Sequence, residues 1–204
     1  FRNMLDQDKP EQGNEKNIKS LIATKSQNPE SRKLLRKIVA IGETGLDYYY
    51  ENSPRASQKQ MLEAHLQLAS DYDLPVIFHV RDAHQDFWPI FDNFSGVKGV
   101  LHSFSATKKE LGEALKRGLY VGLNGIMTFT KNQEQLEAAR SVPKDRLILE
   151  TDAPFLTPVP FRGKLCKPEH VRLTAEFLAA LRDEQLEDLA KFTSFNASQL
   201  FGLK

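Results

Sequence analysis

From residue 38 onward, short apolar runs alternate with amphipathic stretches, and this alternation restricts the fold more than any other feature of the sequence. Five runs have the length and composition of buried β-strands. They cover residues 38–42, 75–79, 98–102, 119–122 and 146–150. Strands that alternate with helices are typical of βα units built around a parallel sheet. We therefore predict an α/β fold with about five βα units.

Helix start signals between the runs support this interpretation. Pro54 stands at the beginning of one amphipathic stretch, and proline is favoured at the first position of a helix. Thr107 and Glu110 have the spacing of a capping box. A last helical region is predicted to begin at Pro168, followed by a further helix over about 184–200.

The first 37 residues have a different composition from the rest. They are rich in Lys, Gln, Asn and Glu and contain only scattered apolar residues. This composition fits a polar extension or an elaborated loop, with one short helix expected over 30–36. The predicted organisation is thus an extension at 1–37 and a barrel portion at 38–204.

Composition and charge exclude several classes of protein. The 204 residues carry 28 basic and 27 acidic side chains, a net charge of +1, which excludes a highly basic nucleic-acid coat protein but allows an enzyme with a phosphate-binding groove. Because Cys166 is the single cysteine, an internal disulfide and a thiolate metal site are also excluded. No apolar run approaches the roughly 18 residues that cross a bilayer, and no signal-peptide pattern is present. We expect a cytoplasmic protein without membrane contact.

Four potential metal ligands stand at the ends of four apolar runs: Glu43, His79, His102 and Asp152. In a parallel α/β barrel the carboxyl ends of the strands converge on one rim, where catalytic groups collect. Two imidazoles and two carboxylates brought together there form a site for a divalent cation. Each residue alone has an ordinary explanation, such as a turn former, a helix cap or a rim histidine. Their common level along the strands favours the metal site.

The segments around these residues resemble the TatD family of metal-dependent deoxyribonucleases, within the amidohydrolase-like barrels. The similarity extends from about Lys37 to Leu203. The segments that carry it are AIGETGLDYY at 40–49, LPVIFHVRDA at 74–83, VLHSFS at 100–105, LETDAPFL at 149–156, TPVPFRG at 157–163 and NASQLFG at 196–202. Several motifs in the same order are far more specific than one short pattern. The resemblance implies a partial TIM (β/α)8-type barrel with C-terminal helices.

The resemblance also implies a set of ligands, a cofactor and a substrate. Glu43, His79, His102 and Asp152 correspond to the family's metal ligands, and we expect one or two divalent ions, Mg, Mn or Zn. The expected substrate is DNA, single-stranded rather than duplex. Asp152 is predicted to accept the proton of the attacking water, and the two oxygens of Glu43 suit a bridge between two ions. The predicted enzyme is a deoxyribonuclease.

Three cations near these motifs are predicted to contact phosphate: Arg81, Arg162 and Lys164. A planar guanidinium suits bidentate contact with phosphate oxygens. Each of the three has the alternative of a solvated surface charge or a structural ion pair. The tyrosines at 48–50 either stack a base near the rim or pack as core and lid.

The sequence departs from the family pattern in two places. The family has a His-x-His pair on its first strand, and neither this pair nor the strands expected before Lys37 can be recognised. Because Phe1 is not an initiator, a partial chain is the favoured explanation, with an inactive remnant as the alternative. After Lys164 the sequence reads Leu-Cys-Lys-Pro, where the family usually has Arg-Asn-Glu-Pro. A hydrolase of another ester or amide on the same barrel therefore stays open.

Overall fold

The computed structural model describes residues 38–203, so the predicted extension at 1–37 and its helix over 30–36 lie outside the described residues. Five parallel strands form one sheet, in which each strand pairs with the next along the chain. They are β1 (Ile41–Asp47), β2 (Val76–Arg81), β3 (Gly99–Leu101), β4 (Tyr120–Leu123) and β5 (Leu147–Leu149). Sequential parallel pairing is the topology of a (β/α)8 barrel. The predicted α/β fold, a partial barrel, is confirmed.

Within the described residues six α-helices connect and follow the strands. They are α1 (Arg55–Tyr72), α2 (His84–Phe91), α3 (Lys108–Lys116), α4 (Gln133–Ser141), α5 (Val171–Arg182) and α6 (Leu186–Phe201). Thr107 caps α3 as predicted, because its hydroxyl accepts from the Lys109 amide and bonds to Glu110. Pro54 occupies the cap of α1, one position earlier than predicted, and Pro168 opens a 3₁₀ turn that leads into α5. No helix between residues 38 and 203 has the length and apolarity to cross a membrane.

The first strand is displaced from its predicted position. It runs from Ile41 to Asp47 instead of over 38–42, because hydrogen bonds to β2, and not the apolar run, decide where it lies. Pairing with β2 is regular from Thr44 onward but shifts in register between Ile41 and Thr44. The shift marks a bulge, a feature that redirects side chains beside active sites. Glu43 lies in this bulge.

A layer of buried side chains between the sheet and the helices holds β2 in place. Phe78 of β2 is fully buried and meets the rings of Phe87 and Phe91 of α2 edge-on, with centroids 5.2 and 5.6 Å apart. Burying a side chain of this size stabilises the fold by about 1.5–3 kcal/mol. Because successive strand residues point to opposite faces, Phe78 in this core directs His79 to the other face of the sheet.

Candidate metal centre

The strands place three polar side chains in one layer on that other face. His79, His102 and Glu150 come at the carboxyl ends of β2, β3 and β5. Two residues before each of them stands an apolar residue on the same face: Ile77, Val100 and Ile148. These three apolar residues belong to one cluster that packs against α6. The polar layer therefore rests on an apolar layer, as in the stacked interior of a parallel barrel.

Glu43 lies between the two histidines. Its Oε1 is 3.0 Å from His79 Nδ1, and its Oε2 is 3.9 Å from His102 Nε2. One possible ligand atom from each of the three residues lies within 4.8 Å of the others. The hydrogen bond from His79 lowers the pKa of the Glu43 carboxyl, and the same hydrogen bond raises the pKa of His79. The carboxylate is thus held in its charged form, which is the form that binds a cation.

Asp152 joins this group through His102. It lies three residues after the end of β5, and its Oδ1 is 3.2 Å from His102 Nε2. The structure therefore brings the four predicted ligands to one end of the sheet. Glu43, His79 and His102 form the compact part of the group, and Asp152 lies beside it.

Each histidine is also held at its other ring nitrogen by a second carboxylate. Glu150 Oε1 is 3.0 Å from His102 Nδ1, and Asp47 Oδ2 is 3.0 Å from His79 Nε2. Carboxylates in this position fix the tautomer and orientation of metal-binding imidazoles and raise their basicity. Neither acid was predicted from the sequence to have a role in the site. For Glu150 a signal was present, because it follows Ile148 at the same spacing as His79 follows Ile77.

The Glu150 carboxylate occupies a space that strand β4 leaves open. A Cβ atom at Gly122 would lie 2.7 Å from Glu150 Oε2 and 2.8 Å from its Cδ, so a larger residue there would displace the carboxylate from this position. The amide of Ser103 donates to Glu150 Oε1. Burial lowers the pKa of His102, but the hydrogen bond that the ring donates to Glu150 and the charges of Glu150, Glu43 and Asp152 outweigh it and raise that pKa to about 9. The side chains of His102 and Glu150 are only 11% and 18% exposed.

The two carboxylate oxygens of Asp47 bind different parts of the structure, a histidine and a loop. Oδ2 meets His79, and Oδ1 accepts hydrogen bonds from the amides of Tyr49 and Tyr50, both at 2.9 Å. The side chain of Gln58 fixes the Asp47 backbone through bonds to its amide and its carbonyl. Burial raises the pKa of the Asp47 carboxyl, but the hydrogen bonds from the two amides and from His79 lower it by more, so the pKa lies below its ordinary value. One charged acid therefore positions a histidine and a loop together.

The three cations that were predicted to contact phosphate each lie over an aromatic ring. They are Arg81, Arg162 and Lys164. The guanidinium carbon of Arg81 is 3.9 Å from the Tyr49 ring centre, and that of Arg162 is 3.7 Å from the Phe129 ring centre. Lys164 Nζ is 5.5 Å from the ring centre of Phe161. Among residues 38–203 none of these cations has a carboxylate within 4.0 Å. Arg162 also donates to a backbone carbonyl, which gives it a structural role as well.

The donor set fits a divalent cation. Bonds of about 2.0–2.2 Å to nitrogen and oxygen ligands place two ligand atoms at most about 4.4 Å apart across an ion, close to the 4.8 Å within which this group lies. Mixed imidazole and carboxylate donors suit Zn or Mn better than Mg, which prefers oxygen ligands. The outer acids Asp47 and Glu150 complete the pattern, since histidines that bind metals are held in this way.

Comparison with known proteins shows matches over most of the chain. A family model described as TatD related DNase matches residues 12–202. The uncharacterized metal-dependent hydrolase YcfH of Escherichia coli (strain K12) is 44% identical over 167 residues, 80% of this chain and 63% of that protein. The 3'-5' ssDNA/RNA exonuclease TatD of Citrobacter rodentium is 36% identical over 83% of this chain and 67% of its own length.

A solved structure gives the same picture at the level of the fold. The crystal structure of YJJV, a TatD homolog from Escherichia coli k12, superposes with a TM-score of 0.79 at 27% identity, covering 92% of this chain and 70% of that one. The chain spans about two thirds of the curated relatives it matches, 63% to 66% for YcfH and for the Bacillus subtilis hydrolase YabD.

Proposed function

The chain belongs to the TatD-related DNase family, and on this basis we propose that the protein is a divalent-metal-dependent hydrolase that cleaves phosphodiester bonds in single-stranded DNA. The observation that carries the proposal is the group of Glu43, His79 and His102, with ligand atoms within 4.8 Å of one another. The name of the Citrobacter relative, an exonuclease of single-stranded DNA and RNA, supports a nucleic-acid substrate.

The proposed roles follow from the contacts of each side chain. Glu43, His79, His102 and Asp152 would hold the cation, which would supply Lewis-acid activation of water and of the phosphoryl group. Asp152 is assigned the proton of the attacking water, because it lies at the edge of the group, with Oδ1 3.2 Å from His102 Nε2. Glu43 directs its two oxygens at different histidines and would hold the cation between them.

Binding of the phosphate backbone is assigned to Arg81, Arg162 and Lys164. Their charges are not neutralised by carboxylates within 4.0 Å among the described residues, and the guanidinium N–H groups suit phosphate oxygens. Arg81 lies two residues beyond His79 on β2 and is the closest of the three to the histidines in sequence. We give it the main phosphate contact.

The proposal is tested with Asp152→Asn in the full-length protein. Release of nucleotides from a single-stranded oligonucleotide is measured with Mn²⁺ or Mg²⁺ and again after removal of metal with EDTA. We expect cleavage to need metal and to fall about 10²- to 10⁴-fold in the variant, the usual contribution of a positioned acid–base group. The matched control is Asp145→Asn, an exposed aspartate before β5 that pairs only with Arg146 among the described residues. Unchanged cleavage in the Asp152 variant would defeat the proposal.

A different ester or amide substrate is the second candidate. It is favoured by the altered segment after Lys164, because Cys166 is buried there and its amide donates to the carbonyl of Pro154, in the turn that follows Asp152. The segment is therefore connected through its main chain to the turn beside Asp152. Phosphodiester, carboxyl-ester and amide substrates, compared with the same metal, distinguish the two candidates.

A further inference from the structure

A cluster of one arginine and two tyrosines lies beside the candidate metal centre. The guanidinium carbon of Arg81 is 3.9 Å from the ring centre of Tyr49 and 4.8 Å from that of Tyr50. The two rings are 4.8 Å apart and nearly perpendicular, at 89°. Both tyrosines remain about 60% exposed. The cation is thus held by two rings that still offer free surface to solvent.

The hydrogen-bond donors of Arg81 are not used within the described part of the chain. An arginine has five N–H donors, and no side-chain acceptor or carboxylate among residues 38–203 meets those of Arg81. Arg117 shows the contrast. It also stacks on an aromatic ring, 4.6 Å from the Trp88 centroid, but its N–H groups pair with Asp92 and Glu113. Arg117 is saturated as a structural ion pair, whereas Arg81 keeps its donors for a ligand.

The position of the cluster is fixed relative to the histidines. Arg81 lies two residues after His79 on the same face of β2, about 6.6 Å farther toward the carboxyl end. The two tyrosines follow β1 directly, and their amides are bound by the same Asp47 carboxylate that bonds His79. The cluster therefore adjoins the candidate metal centre at a defined spacing.

We propose that Tyr49, Tyr50 and Arg81 form a stacking subsite for a nucleotide next to the bond that is cleaved. Arg81 contacts the phosphate of this nucleotide, and the exposed ring faces stack its base. Stacking on a ring is open to any base but needs a base that is not already paired and stacked, so the subsite selects unpaired strands. The inference rests on the proposed function, because it takes the substrate to be a nucleic acid.

The test measures equilibrium binding in EDTA, where metal-dependent cleavage does not occur. The probes are a fluorescent single-stranded oligonucleotide and an abasic strand of the same length, read by anisotropy with the full-length protein. The variant Y49L/Y50L removes the ring faces and is expected to weaken binding of the normal strand by about 5- to 150-fold per stacked base. The abasic strand is expected to lose less, because only the phosphate contact of Arg81, which the rings support, is disturbed for that probe. Y49F/Y50F, which keeps both rings, is expected to bind like the wild type.

Two further variants complete the design. Arg81→Gln is expected to weaken both probes alike, because both carry phosphate. Tyr72→Leu is the matched control, since Tyr72 is a partly exposed tyrosine at the C-terminal end of α1 and not part of the cluster. Equal binding by Y49L/Y50L and wild type, or an equal loss on both probes, overturns the subsite. Cleavage by the wild type with metal is scored separately, so base-dependent binding without cleavage refutes the proposed function alone.

Discussion

A histidine that binds a metal must present one particular ring nitrogen, and here carboxylates on both sides of each ring decide which one. Glu150 takes His102 Nδ1, so Nε2 faces Glu43 and Asp152. Asp47 takes His79 Nε2, so Nδ1 faces Glu43. A bound cation would replace the proton at the inner nitrogen, while the outer acid keeps the ring in place.

Glu150→Gln tests the outer acid of His102. Glutamine keeps an acceptor for the ring and for the Ser103 amide but removes the charge, so we expect metal affinity to fall about 10- to 100-fold while the fold is retained. The measurement is calorimetric titration of the metal-free protein with Mn²⁺ or Zn²⁺. The exposed Glu134, in the first turn of α4, provides the control Glu134→Gln. Equal affinity in the two variants would show that Glu150 does not support the metal.

The stability of the metal-free protein is expected to depend on pH through His102. Its pKa is raised from 6.5 to about 9 in the folded state, so the native state binds the proton more tightly than the unfolded chain. The stabilisation is fully present below about pH 6.5 and is lost as the pH rises through about 9. A shift of this size corresponds to about 3 kcal/mol.

Urea unfolding in EDTA at pH 6 and at pH 10 measures this effect. The free energy of unfolding is expected to be lower at pH 10 in the wild type, with a smaller difference in Glu150→Gln. The carboxylates Glu43 and Asp47 have lowered pKa values, so their contributions are lost only as the pH falls, on the acid side of this window. A pH-independent free energy across this range would contradict the prediction.

The four proposed ligands could be predicted to lie close together because each ends an apolar run, and a common level along parallel strands needs no knowledge of side-chain contacts. The same could not be predicted of Asp47. Its role depends on a bulge in β1 and on a loop that turns back over the same carboxylate, and both are decided by hydrogen bonds between segments distant in sequence. Neither the bulge nor the returning loop can be read from the residues around Asp47 alone.

The strands contribute space as well as ligands. All five were predicted in the correct order, because apolar runs and helix signals alternate clearly, but the ends of β2 to β5 differ from prediction by one or two residues. Strand ends follow the hydrogen bonds to neighbouring strands, which hydrophobicity does not report. Gly122 of β4 could not be interpreted from the sequence either, since the sequence does not show that the Glu150 carboxylate occupies the space beside it.

Gly122→Ala tests the space that β4 leaves for Glu150. The new Cβ would lie within 2.8 Å of the carboxylate, so the flexible glutamate side chain must move away from His102 while the backbone keeps its place. We expect metal affinity to fall about 10-fold or more, as for loss of an outer ligand. The control is Gly112→Ala in α3, where a Cβ meets nothing within 4 Å and alanine raises helix propensity by about 1 kcal/mol. Equal metal affinity in both variants would refute the role of this space.

Stability and chemistry are located at opposite ends of β5. Glu150 and Asp152 follow the C-terminal end of the strand. Asn196 of α6 is bound to the N-terminal end, at Leu147 and at Lys144 just before the strand. The buried Asn196 side chain donates to the carbonyls of Lys144 and Leu147, at 2.7 and 2.8 Å. This bond pair explains the asparagine of the C-terminal family segment, for which the sequence offered a resemblance but no physical role.

Asn196→Ala is therefore expected to lower stability and leave the site unchanged. Removing the amide leaves two carbonyls without their donor, which costs about 1–3 kcal/mol in the free energy of unfolding. Urea denaturation measures the loss, and metal titration of the folded variant should match the wild type. Gln199→Ala removes a similar amide from an exposed position of the same helix and is expected to be nearly neutral. A loss of metal affinity in the Asn196 variant would contradict the separation of the two ends.

Loops after barrel strands are often exchanged to give an enzyme a new substrate. The contacts of Asp47 limit this freedom, since the amides of Tyr49 and Tyr50 in the loop after β1 donate to the same carboxylate that orients His79. A grafted segment must keep an aspartate at 47 and two amides able to reach it. A grafted loop without these contacts is expected to lose the orientation of the His79 imidazole together with the original specificity.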